Sequence, residues 1–106
     1  MSTFNLEQLI AQQRASGRLY LEFLRRPSLS LGVYVLPVGT ADPQEPHSED
    51  EVYFVHSGRA QIRINEEDFD VEPGSIIFVA KETPHRFHSI IEDLKVLVFF
   101  APAETS

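Results

Sequence analysis

The sequence predicts an all-β domain, a sandwich or a closed barrel, led by one short α-helix. After Gly17 the apolar pattern drops its helical period and alternates residue by residue, in Leu19, Leu21 and Phe23 and again in Leu29, Leu31, Val33 and Val35. Short runs then follow at close spacing, at 51–56, 60–64, 68–72, 75–80, 85–91 and 94–100. Between them stand turn formers: Ser57-Gly58, Asn65-Glu66-Glu67, Pro73-Gly74, Thr83-Pro84 and Glu92-Asp93. Many short strands with regular punctuation mark a sandwich or barrel. At 106 residues the chain is expected to be a single domain, with a helical lead over 1–17 and the β-structure over 18–106.

In the lead, Asn5 is placed to cap the helix, with Gln8 three residues on in the arrangement of a capping box. Phe4 and Leu9 fall at the positions of a hydrophobic staple. Leu6, Leu9, Ile10 and Gln13 share one face, and Gly17 is placed to end the helix in the left-handed conformation. That apolar stripe needs a surface to lie on, either the outside of a sheet or a partner subunit. Residues 18–26 read as a strand, Pro27 interrupts, and a second strand runs to residue 36. Pro37, Gly39, Asp42, Pro43 and Pro46 then form a loop that cannot be helix. Pro73-Gly74 suits a type II turn, in which glycine supplies the positive φ.

Composition excludes several classes of function. The net charge is 9 − 16 = −7, so nucleic acid and anionic membrane surfaces are poor partners. The chain has no cysteine, which removes disulfides, thiolate metal sites and thiol nucleophiles. No apolar run is long enough to span a bilayer or to act as a secretory leader, and the expected location is the cytoplasm. A Gly-rich phosphate loop, a Ser/His/Asp set and a helical His-Glu motif are all missing.

The chemistry-bearing residues are two histidines and nearby carboxylates. His47 and Glu51 lie in the run Gly39-x5-Glu45-x-His47-x3-Glu51-x6-Gly58, and His85 lies in Gly74-x5-Ala80-x-Glu82-x2-His85-x3-Ser89. If 45–51 is extended, Glu45, His47, Glu49 and Glu51 point to one face. A closed barrel could bring His85 to the same place, because inward residues converge on its axis. Several carboxylates in one cavity repel unless a cation or protons join them. By parity His56 faces away from Glu51, and His88 away from His85. Tyr53, Phe78, Phe87 and Phe99 are candidate pocket walls, and Arg59, Arg63 and Arg86 could pair an anionic substrate or simply be surface cations.

Over roughly residues 28–101 these motifs resemble the two signatures of the cupin superfamily. The first signature, Gly-x5-His-x-His-x3or4-Glu-x6-Gly, is matched at Gly39, His47, Glu51 and Gly58, with Glu45 in place of the first His. The second, Gly-x5-Pro-x-Gly-x2-His-x3-Asn, is matched at Gly74 and His85, with Ala80, Glu82 and Ser89 as departures. The resemblance implies an antiparallel jelly-roll β-barrel holding a divalent transition metal (Fe, Mn, Ni or Zn) through His47, Glu51, His85 and Glu45. Without Glu45, the remaining two imidazoles and one carboxylate are the ligand type of non-haem Fe(II) oxygenases. It further implies a small-molecule ligand and dioxygenase, isomerase or lyase chemistry. A non-catalytic ligand-binding module and a metal-free barrel stand as alternatives. Leading strands such as 18–26 pair with a partner subunit in similar small proteins, so a homodimer is expected.

Overall fold

The computed structural model describes residues 2–43 and 45–105. Among them are one helix, α1 (Leu6–Ser16), and six strands: β1 (Tyr20–Arg26), β2 (Leu29–Leu36), β3 (Asp50–Ile64), β4 (Glu67–Val71), β5 (Ile76–Val79) and β6 (His85–Ala101). The strands pair antiparallel in the order β1-β2-β6-β3-β4, with β5 also on β3.

Asn5 caps α1 as its residue type predicts, its Oδ1 accepting the Gln8 N–H at 3.1 Å, and Gly17 closes the helix at φ 72°. Leu9, Ile10 and Gln13 form the buried face. Leu9 and Ile10 pack on Val33, with Phe23, Val35 and Leu97 around them, so the stripe lies on the outside of the sheet. Phe4 meets Phe23 edge-on, with ring centroids 4.9 Å apart.

Two expected strand breaks are corrected. The runs 51–56 and 60–64 are one strand, β3, and the runs 85–91 and 94–100 are one strand, β6. Pairing continues through Ser57-Gly58 with register shifts at Val55/Ser57, Ser57/Arg59 and Arg59/Gln61. Bulges of this kind absorb extra residues and bend the ladder without ending it. Gly58 is required there: its φ is 101°, and a Cβ would lie 2.3 Å from the Asp93 carbonyl oxygen. Glu92-Asp93, opposite, is part of the same bend.

The bend creates the barrel. The first half of β3 pairs with β5 and the second half with β4, while β2 takes the C-terminal half of β6. The β3–β6 ribbon therefore folds into two layers, β1-β2-β6-β3-β5 and β6-β3-β4, which is a jelly-roll arrangement. Side-chain alternation inverts at the bulge, with Glu51, Tyr53 and Val55 inward before it and Ala60 and Ile62 inward after it. One core results, in which Tyr53, Val55, Leu94 and Val96 meet Ile62, Val71 and Phe87. Burying each such side chain stabilises the fold by about 1.5–3 kcal/mol. Among the described residues no helix is long and apolar enough to cross a membrane.

Candidate metal centre

Three side chains from the two signature runs converge at one end of the barrel. Ligand atoms of His47, Glu51 and His85 all lie within 4.8 Å of one another. Glu51 is the second residue of β3 and points inward between Val79 and Phe100 on the neighbouring strands. It is 1 % exposed. His85 opens β6 and is buried as well. His47 comes from the proline-rich loop before β3, half-buried, with its ring edge-on to Phe100 at 4.8 Å. The Glu82 N–H donates to the His47 carbonyl at 2.6 Å, tying the two signature runs together.

The His85 ring is held from both sides. Nδ1 lies 2.8 Å from the Thr83 carbonyl oxygen, which can only accept, so Nδ1 carries the proton. Nε2 lies 3.1 Å from the Tyr53 hydroxyl and 3.0 Å from Glu51 Oε1. In a neutral ring this sets the Nε2 lone pair against a carboxylate oxygen. Neither Glu51 oxygen receives an aligned hydrogen bond, although both are buried. Leaving such a group unsatisfied costs about 1–3 kcal/mol, and more when it is charged. Two species relieve the conflict: a cation between the ligands, or a proton on His85. Burial alone would lower the His85 pKa, but the Glu51 carboxylate and the Thr83 carbonyl outweigh it and hold the imidazole above its ordinary value.

The donor set fits a divalent transition metal. Cis ligands about 2.1 Å from a metal stand about 3 Å apart, close to the Nε2–Oε1 separation of 3.0 Å. Two imidazoles and one carboxylate with open positions suit Fe, Mn, Ni or Zn. His47 Nδ1 meets Glu104 Oε2 at 3.1 Å, the kind of outer carboxylate contact that orients a metal-binding imidazole.

The remaining sequence candidates fall elsewhere. Glu45 is exposed and contributes no atom to the group, because the strand begins only at Asp50 and the chain at 45–47 is not extended into the sheet. Glu49 is buried but turns to the C-terminal segment, accepting from Ser48 Oγ at 2.6 Å and Thr105 Oγ1 at 2.7 Å. His56 is exposed beside Glu7, and His88 Nε2 lies 2.8 Å from Asp68, both away from the centre as parity requires. Arg59 pairs with Glu72 and Arg63 with Asp68 on the surface. Of the expected pocket walls, Tyr53 and Phe87 are core, Phe78 is exposed, and none of the four lines the cavity beside the centre. That cavity holds about 410 Å³ and is walled by Tyr20, Tyr34, Val98 and Phe100, with Glu45 and Glu104 at its rim. Tyr20 and Glu104 carry no motif signal; they arrive from the leading strand and the tail after β6, by tertiary placement alone.

Fold and site together define a small β-barrel with a candidate two-histidine, one-carboxylate centre at one end. The chain belongs to the cupin family: the model described as Cupin domain matches residues 32–100. It is 48% identical over 105 residues to an uncharacterised protein of Streptomyces coelicolor, covering 99% of this chain and 100% of that one. The TT1209 protein of Thermus thermophilus superposes with a TM-score of 0.77 at 22% identity, over 97% of this chain and 99% of that one. The DMSP lyase DddQ of Ruegeria pomeroyi DSS-3 superposes with a TM-score of 0.67 at 25% identity, over 72% of this chain and 39% of that one.

Proposed function

We propose that this cupin binds a divalent transition metal (Fe, Mn, Ni or Zn) through His47, Glu51 and His85 and acts as an enzyme on a small oxygen-bearing molecule in the cytoplasm. The observation that carries the reading is the Glu51 carboxylate, sealed from solvent without an aligned donor and facing the His85 Nε2 at 3.0 Å. A bound metal would supply Lewis acidity or oxygen activation at that point. The chain's own residues do the rest: Thr83 fixes the His85 tautomer, Glu104 orients His47, and Tyr20, Tyr34 and Phe100 wall the ligand's space. Lyase, isomerase and dioxygenase are the reaction classes such a site admits, and the structural likeness to a lyase supports the first.

A non-catalytic barrel is the second reading, favoured by the same pair: a proton on His85 would offset the Glu51 charge 3.0 Å away without a metal. Elemental analysis of protein purified without a nickel column separates the two. One equivalent of metal is expected in the native chain, and less than a tenth of that in His47→Ala and His85→Ala, with the β-sheet circular dichroism retained. Full metal content in both variants would remove these residues from the site.

A further inference from the structure

The cavity beside the centre has a chemistry of its own. Among its described lining residues there is no lysine or arginine, while Glu45, Glu51 and Glu104 supply three carboxylates. Against a dication the balance is 2 − 3 = −1, so the walls stay negative even with metal bound. Arg25, which touches the Glu104 backbone, is spent on Glu22 at 2.8 Å and on the Glu104 carbonyl. Apart from His47 and the two tyrosines, the rest of the wall is apolar, with Leu19, Val98 and Phe100 among it.

Tyr20 belongs to this wall and carries a polar donor there. The Tyr20 hydroxyl is buried and, among the described residues, has no hydrogen-bond partner. Its ring sits edge-on to Tyr34 and Phe100, at 6.1 and 6.4 Å. The phenol end packs over residue 32, which has to be glycine: a Cβ there would lie 2.2 Å from the Tyr20 Cζ and 2.3 Å from its hydroxyl oxygen. Burial and the carboxylates of Glu104, Glu22 and Glu51 push this phenol well above its ordinary value, so it stays protonated and can donate.

We propose that the cavity takes an uncharged or cationic small molecule with an apolar body, and that Tyr20 donates a hydrogen bond to an oxygen of that molecule. The proposal rests on reading this cavity as the ligand pocket of the metal centre. A phosphorylated or multiply anionic ligand is excluded by the charge of the walls, whereas a carbonyl or hydroxyl compound relieves the unsatisfied hydroxyl.

Three probes of like size and stepped charge test it by calorimetric titration: benzoylformamide (neutral), benzoylformate and benzoylphosphonate. Each is titrated into the full chain as purified and again after chelation, so that metal coordination and wall charge are read apart. The amide should bind at least about tenfold more tightly than the phosphonate in both states. Tyr20→Phe should weaken the amide about tenfold, leaving metal content and thermal midpoint unchanged. A native chain without metal would defeat the metal reading alone, because the charge order and the Tyr20→Phe loss are still measured after chelation. A phosphonate bound as tightly as the amide, an amide that does not bind, or an amide affinity unaltered in Tyr20→Phe would overturn the proposal.

Discussion

At the residue scale, Glu51 holds a carboxylate where the fold alone would favour an apolar side chain. Strands lie on both sides of it, and its oxygens face His85 rather than water. Such placements trade stability for function. Glu51→Gln removes the charge and brings N–H donors to the same space. It should abolish metal binding while leaving the metal-free protein as stable as the native chain or about 1 kcal/mol more stable, checked by urea unfolding in the presence of chelator. Glu49, two residues earlier, behaves in the opposite way. Burial alone would raise it, but the Ser48 and Thr105 hydroxyls and the nearby His47 bring its pKa below the ordinary carboxylate value. A depressed carboxylate contributes stability that is present above its unfolded value and lost as the pH falls through its folded one. The native chain should therefore lose stability on acidification below about pH 4.5, and Glu49→Gln should flatten that limb of the curve. Glu82 and Ser89, which depart from the glycine and asparagine of the family signature, both sit at positive φ, 63° and 52°. The family residues at these positions thus answer a backbone requirement that this chain meets under strain.

At the scale of elements, the bulge in β3 sets the position of everything else. It inverts the inward face, so that Glu51 and Tyr53 on one side and Ile62 on the other share one interior. Gly58→Ala would force a Cβ against the Asp93 carbonyl oxygen and the Leu94 Cα, at 2.3 and 2.6 Å, in a left-handed backbone. We expect a loss of about 3 kcal/mol or more in chemical denaturation, from strain and steric displacement together. The helix matters less: its cap at Asn5 is exposed, and Asn5→Ala should cost only about 1 kcal/mol by the same measurement.

At the scale of the molecule, we propose that the chain pairs with a second copy. Among the described residues β1 ends the sheet with one neighbour, β2. Helix α1 covers only part of the outer face, over Val33, Val35 and Leu97. Beside it the register aligns Phe78, Val52, Phe99 and Leu31 in one row across four strands. Ile76 and Phe78, at 73% and 61% exposed, extend that apolar face to its margin. Light scattering should give about twice the 12.0 kDa chain mass. Phe78→Glu should return the monomer, and a native chain that is monomeric at micromolar concentration would refute the pairing.

Local chemistry in the chain determined much of this. The cap at Asn5, the helix stop at Gly17 and the turn at Pro73-Gly74 follow from single residue types, because each satisfies its constraint within a few bonds. Alternation assigned the strands, since a strand's side-chain period is fixed, and the resemblance to the family signatures singled out His47, Glu51 and His85. The rest depended on distance in space. A bulge and a turn look alike in sequence, since both use glycine and small polar residues, so whether Ser57-Gly58 ends a strand or bends it was decided by the partner strand β6. Parity placed Glu45 with the histidine, but parity holds only inside a strand, and this strand starts at Asp50. Tyr20, Glu104 and the cavity they line were set by the packing of the leading strand and the tail around the barrel mouth. No local preference encodes such a meeting; it exists only once the sheet has rolled up and fixed which surfaces touch.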